Sequence, residues 1–169
     1  MTDPSLETEA EETGADQDDA GGPSTYDPVL VGEIAKRVDI RDVQLVHAHF
    51  DRDDDGAAPA DEPNPRSVEP EIVVDIDWSM SESGDALHYL VRFGASQNSP
   101  PVFRVYAFFR LTYQLVDGDM PTEGHLEQFG HWNATFNAWP YFREYVSSTA
   151  NRAGLPRLVL PVMRVPRGD

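Results

Sequence analysis

Asp51-Arg52-Asp53-Asp54-Asp55-Gly56, followed by Glu62, matches the calcium-loop pattern D-x-D-x-D-G-x5-E at every position. Such a set offers three carboxylates and a bidentate glutamate to a hard cation, and Gly56 permits the sharp turn. The second half of the motif is missing. An EF-hand continues into a helix, which Pro63-Asn64-Pro65 forbids. The expectation is a solvated acidic loop; a calcium-dependent interaction module through residues 51–62 is the alternative. Just upstream, His47, His49 and Asp51 share one strand face and could hold a transition metal. A third strong ligand is missing from the local sequence, so a half-buried polar face is expected and no metal site. Asn133-Ala134-Thr135 spells a glycosylation sequon, which means nothing without a signal peptide.

The rest of the chain excludes more chemistry than it offers. It has no nucleophile motif, phosphate-cradling glycine loop or paired acid–base residues, so no enzyme and no cofactor are expected. Cysteine is absent, which removes disulfides, thiolate metal sites and cysteine nucleophiles. With 30 acidic and 13 basic residues in 169, the net charge is -17. That field repels phosphate backbones and argues against nucleic acid as a partner. No basic n-region with an apolar h-region opens the chain. No apolar run reaches the roughly 18 residues that a membrane helix needs. The expectation is a cytoplasmic protein without membrane contact.

The elements that position these residues follow from periodicity. Residues 1–26 hold eight acids and no lysine or arginine, too little apolar surface to offset ordering entropy, so a disordered acidic tail is expected there. A domain over 27–169 follows. Asp27-Pro28 suits an N-cap and first helical residue, with Leu30, Ile34 and Val38 along one face. From about Ile40 the period becomes two: Val43, Leu45, His47 and His49 on one side, Val46, Ala48 and Phe50 on the other. After a proline-broken polar loop, a second strand sets Ile72, Val74, Ile76 and Trp78 on one face. Residues 81–85 make a hairpin turn into a third strand bearing Leu87, Tyr89, Val91 and Phe93.

The longest strand, Val102 to Val116, has one wholly apolar face that includes Phe103, Phe109 and Tyr113, read as core. Its other face mixes Arg104, Arg110, Thr112 and Gln114 with Tyr106 and Phe108, as an antiparallel sheet with a second contact surface would. A helix from about Pro121-Thr122-Glu123 should be interrupted at Gly130 and Asn133. A final helix should begin with Pro140 at its first position and stop at Gly154. Helix, four strands, then helices make an α+β domain.

Taken together, Pro70-Glu71-Ile72-Val73-Val74-Asp75-Ile76-Asp77, Pro140-Tyr141-Phe142-Arg143-Glu144-Tyr145-Val146 and the Leu155-Pro156-Arg157-Leu158 crossover resemble the SecB family of export chaperones. The resemblance covers roughly residues 38 to 161. Asp119-Met120-Pro121-Thr122-Glu123 brings it closer to actinobacterial SecB-like chaperones of toxin–antitoxin systems. It implies a four-stranded antiparallel sheet with C-terminal helices on one face, and a homotetramer built as a dimer of dimers. It also implies an ATP-independent holdase that binds unfolded or nascent polypeptides in apolar grooves, either preproteins for export or an antitoxin. An acid-rich rim would keep such apolar surface soluble.

The client surface implied lies between the final helix, the crossover and the sheet: Ile72, Val74, Ile76, Trp78, Trp139, Tyr141, Phe142, Tyr145, Leu155, Leu158 and Leu160. Adjacent Trp139, Tyr141 and Phe142 cannot all face inward on a helix, so at least one should stand on an interface or groove. Two departures stand out. The export members continue past the crossover into a second long helix and an acidic tail, and their outer sheet face is acidic. Here Asp42 matches one such acid while Val46 and the Val105/Tyr106 region are uncharged, which leaves docking to the SecA motor doubtful. A small-molecule-binding α+β domain with a pocket among Phe103, Phe109 and Tyr113 is the competing reading.

Overall fold

The computed structural model describes residues 25–53, 70–97, 102–116, 118–155 and 158–163. The expected acidic tail up to residue 24, and residues 54–62 of the calcium-like loop, lie outside the described residues. The elements run α1 (Pro28–Ala35), β1 (Val38–Asp53), β2 (Glu71–Met80), β3 (Ala86–Gln97), β4 (Val102–Leu115), α2 (Glu123–Gln128), a π-helical segment (Phe129–Ala134) and α3 (Thr135–Arg152). The four strands form one antiparallel sheet in the order β1-β4-β3-β2. The helices pack on one face of it.

Alternation on the two central strands decides which face is covered. Leu87, Tyr89, Val91 and Phe93 of β3 and Phe103, Val105, Ala107, Phe109, Leu111 and Tyr113 of β4 are all buried. Phe129, Ala138, Phe142 and Val146 close on them from the helical layer. Each fully buried large apolar side chain contributes roughly 1.5–3 kcal/mol. The edge strand β2 is half-buried at Ile72, Val74, Ile76 and Trp78 and exposed at the residues between, as its pattern implies.

On β1 the alternation slips. The pairing with β4 skips Arg41 and Val46, two β-bulges. Each inserted residue reverses which side the following residues face. Val43 and Leu45 therefore lie on the helix side opposite Leu111 and Phe109, and after the second bulge Ala48 and Phe50 do as well. His47, His49 and Asp51 are turned to the outer face. The single uninterrupted alternation read from the sequence is corrected at Val46. Likewise α1 ends at Ala35, with Val31 and Ile34 as its buried pair, and Val38 already begins β1.

The largest departure from the sequence reading is in the C-terminal helices. Helical structure is continuous from Glu123 to Arg152, and Pro140 lies inside α3 and does not open it. Gly130 does not break the chain there, because the backbone widens into a π turn around it and the Thr135 hydroxyl donates to the Gly130 carbonyl at 3.1 Å. Pro140 removes the donor that would meet the Phe136 carbonyl. Both residues lie on the exposed side of α3, away from the core. Gly154 does end the helix. At φ +69° it lets its own N–H reach the Asn151 carbonyl at 3.2 Å and the Leu155 N–H reach the Ala150 carbonyl at 3.0 Å.

Candidate functional site

Phe93 is the point where helix and sheet are joined. The Phe142 ring stacks on it with centroids 4.8 Å apart and planes 15° apart, and Trp139 meets it obliquely at 5.5 Å. The Trp139 indole N–H donates to the Pro161 carbonyl at 3.2 Å, which fastens the extended segment after α3 alongside that helix. Tyr141 leans to the other side, 6.4 Å from Phe109, the residue whose cross-strand partner on β1 is Leu45.

The helical layer therefore has two flanks. On one, α3 overhangs β1, and Leu45, Ile40 and Tyr141 remain 47%, 47% and 50% exposed. On the other, half-buried Ile72, Val74, Ile76 and Trp78 of β2 share the helix-side face with the crossover residues Leu158 and Met163 packed against the same core. The crossover alternates as an extended chain should: Leu158 half-buried, Val159 61% exposed, Leu160 buried.

The residues singled out in the sequence are thus placed at different depths. Trp139, Phe142, Leu155 and Leu160 are buried within the protomer and hold the wall up from inside. Ile72, Val74, Ile76, Trp78, Tyr145 and Leu158 are half-buried, and Tyr141 stands out into solvent. Ile40, Leu45, Val159 and Val162 are exposed apolar neighbours that sequence reasoning missed. The two bulges that bring Leu45 to the helix side leave no periodic signature, whereas the Leu158-Val159-Leu160 alternation was readable.

Other groups show how dry the centre is. Burial, with the Tyr113 hydroxyl nearby, pushes the Tyr89 hydroxyl well above the ordinary phenol value. Burial also raises Tyr113 to about 12, against the amide of Asn137 that donates to its oxygen at 2.9 Å. Tyr113 touches Phe129 at 5.1 Å and Tyr89 at 5.8 Å, so rings fill the space where a small-molecule pocket was the competing expectation. An open depression of about 430 Å³ lies elsewhere, lined by Glu144, Ser147, Ser148, Asn151 and Leu155. Among the described residues no cluster of histidine and acidic side chains could hold a metal ion, and His47, His49 and Asp51 do not form one. Among the described residues no helix is long and apolar enough to cross a membrane.

A chaperone from Mycobacterium tuberculosis, described as SecB-like and solved in complex with a ChAD peptide from the HigA1 antitoxin, superimposes on the chain with a TM-score of 0.65. The match spans 80% of this chain and 94% of that one. The fold is SecB-like. Sequence identity with that chaperone is 18%, so the likeness is one of architecture: the open antiparallel sheet and the long C-terminal helix. A protein of unknown function from Streptococcus agalactiae aligns more loosely, with a TM-score of 0.46 at 9% identity over 73% of this chain and 96% of that one. No protein-family model matches the sequence. No curated protein matches it either.

Proposed function

We propose that the protein is an ATP-independent holdase of SecB type that binds non-native polypeptides along the flank between β2, α3 and the crossover. The observation that carries this reading is the SecB-like fold together with apolar side chains left open beside the helix, Val159 and Val162 above all. A client segment laid there would cover Ile72, Val74, Ile76, Trp78, Tyr145 and Leu158 without displacing the buried Phe142 or Trp139. The fold neighbour holds an antitoxin peptide, which makes an antitoxin the first client class to test and export precursors the second.

The opposite flank suits self-association. Leu45, Ile40 and Tyr141 lie beside an edge strand with unpaired backbone groups, a surface that a second copy can cover on both counts. A dimer built there, or a dimer of dimers, would leave the β2 flank free.

Light scattering of an unrelated denatured protein tests the reading. The protein should suppress aggregation at about equimolar ratio without nucleotide. No suppression at any ratio up to about fivefold excess, where interface-sized contacts should saturate, would remove it.

A further inference from the structure

The outer face of the sheet carries a second surface, separate from the flanks just described. On the central strand β4, Arg104, Tyr106, Phe108 and Arg110 lie in one row on the side away from the helices, since their odd-numbered neighbours fill the core. Both arginines and Tyr106 are exposed and Phe108 is half-buried. The acids of this face sit on the edge strands: Asp42 and Asp51 on β1, and Glu71, Asp75 and Asp77 on β2. Asp75 and Asp77 are engaged by Arg92 of β3, at 2.6 Å in the case of Asp75. Arg92 also lies 5.9 Å over the Phe108 ring.

Arg104 and Arg110 are different. Among the described residues neither forms an ion pair or a side-chain hydrogen bond, although Asp51 is the cross-strand partner of Arg104. In a chain with 30 acids against 13 basic residues, two unpaired cations flanking two aromatics on a central strand are charge held available. The sign is opposite to that of the acidic outer face implied by the resemblance to export chaperones.

We propose that this row docks an acidic amphipathic helix of a partner protein. Charge complementarity selects the partner: two carboxylates for Arg104 and Arg110, with apolar side chains between them against Tyr106 and Phe108. Arginine and aromatic residues are the types that carry most interface energy. The arginines are six residues apart on one strand, about 20 Å at roughly 3.3 Å per residue. A segment lying across a sheet face finds no strand edge to pair with, and a helix satisfies its own backbone groups. At a rise of 1.5 Å per residue, carboxylates about 13 residues apart would match.

Fluorescence anisotropy with the full chain tests this, using a labelled synthetic acidic helix with that spacing and a control helix with lysine at the same places. The acidic helix should bind more tightly than the basic one, and added salt should weaken it. Arg104→Glu with Arg110→Glu should weaken binding about tenfold or more while leaving the melting temperature and holdase activity in place. Tyr106→Ser should weaken it further. Equal binding of the basic helix, or a double variant within twofold of the parent, would overturn the proposal. So would binding that emerges only after residues 1–24 are removed, because the occupant would then be the chain's own acidic segment.

Discussion

Gly130 lies against the ring of Tyr89 so closely that a methyl group on it would come within 2.7 Å of the Tyr89 Cε1 carbon. Tyr89 is fully buried and its hydroxyl donates to the Leu126 carbonyl at 3.1 Å, so the ring is pinned at both ends. The π turn exists where this close approach is needed.

Gly130→Ala should therefore destabilise the protein by roughly 1–3 kcal/mol, the usual range for overpacking a core. In an ordinary helix interior the same change would stabilise by about 1 kcal/mol, so the sign is diagnostic. Urea unfolding monitored by circular dichroism decides it. A stabilised variant would mean that helix and sheet are not in contact at this point.

Neighbouring aromatics should separate by depth. Phe142→Ala empties a fully buried site stacked on Phe93 and should cost about 3–5 kcal/mol. Tyr141→Ser, at a half-exposed site, should cost less than about 1 kcal/mol. If the β1 flank is the self-association surface, Tyr141→Ser and Leu45→Glu should lower the sedimentation coefficient while each protomer remains folded.

The crossover hangs on one hydrogen bond from the Trp139 indole. Trp139→Phe keeps most of the ring but leaves the Pro161 carbonyl without that donor, at a cost of about 1 kcal/mol. Hydrogen exchange should accelerate over residues 158–163 and remain slow in β3 and β4. A uniform change across the chain would show that the bond does not hold the crossover in particular.

Alkaline pH should unfold the protein through its buried phenols. Tyr89 and Tyr113 have folded pKa values raised above the ordinary phenol value near 10, chiefly by burial. Their contribution is fully present below that value and is lost as pH rises toward and through about 12, where Tyr113 ionises in the folded state. On the acid side the sign reverses. Burial holds the His131 imidazole below its ordinary value, so a smaller contribution is lost as pH falls below about 6.5. Melting temperatures followed across pH, with tyrosinate absorbance as a second signal, check both limbs. Tyr89→Phe combined with Tyr113→Phe should flatten the alkaline one.

Strand content and the buried face were legible where period-two patterning ran unbroken, as on β2, β3 and β4. Patterning failed where an inserted residue changes phase. Val46 on β1 and the π turn at Phe129–Ala134 each add one residue without leaving a compositional mark. Pro140 was misplaced for a related reason: proline favours the first helical turn, yet on the exposed side of a packed helix the missing hydrogen bond is tolerated. The candidate surface was half legible. The crossover declared itself by alternation between prolines, while the openness of Leu45 depends on where α3 lies over the sheet, which no local pattern encodes.

Site-specific photo-crosslinking tests the central claim most directly. A photoreactive residue placed at Val159, exposed on the crossover, should capture an unfolded client. The same residue at Val29, equally exposed on α1, should not. Equal capture at both positions, or capture at Val29 alone, would contradict the assignment of the β2–crossover flank as the surface that receives non-native chains.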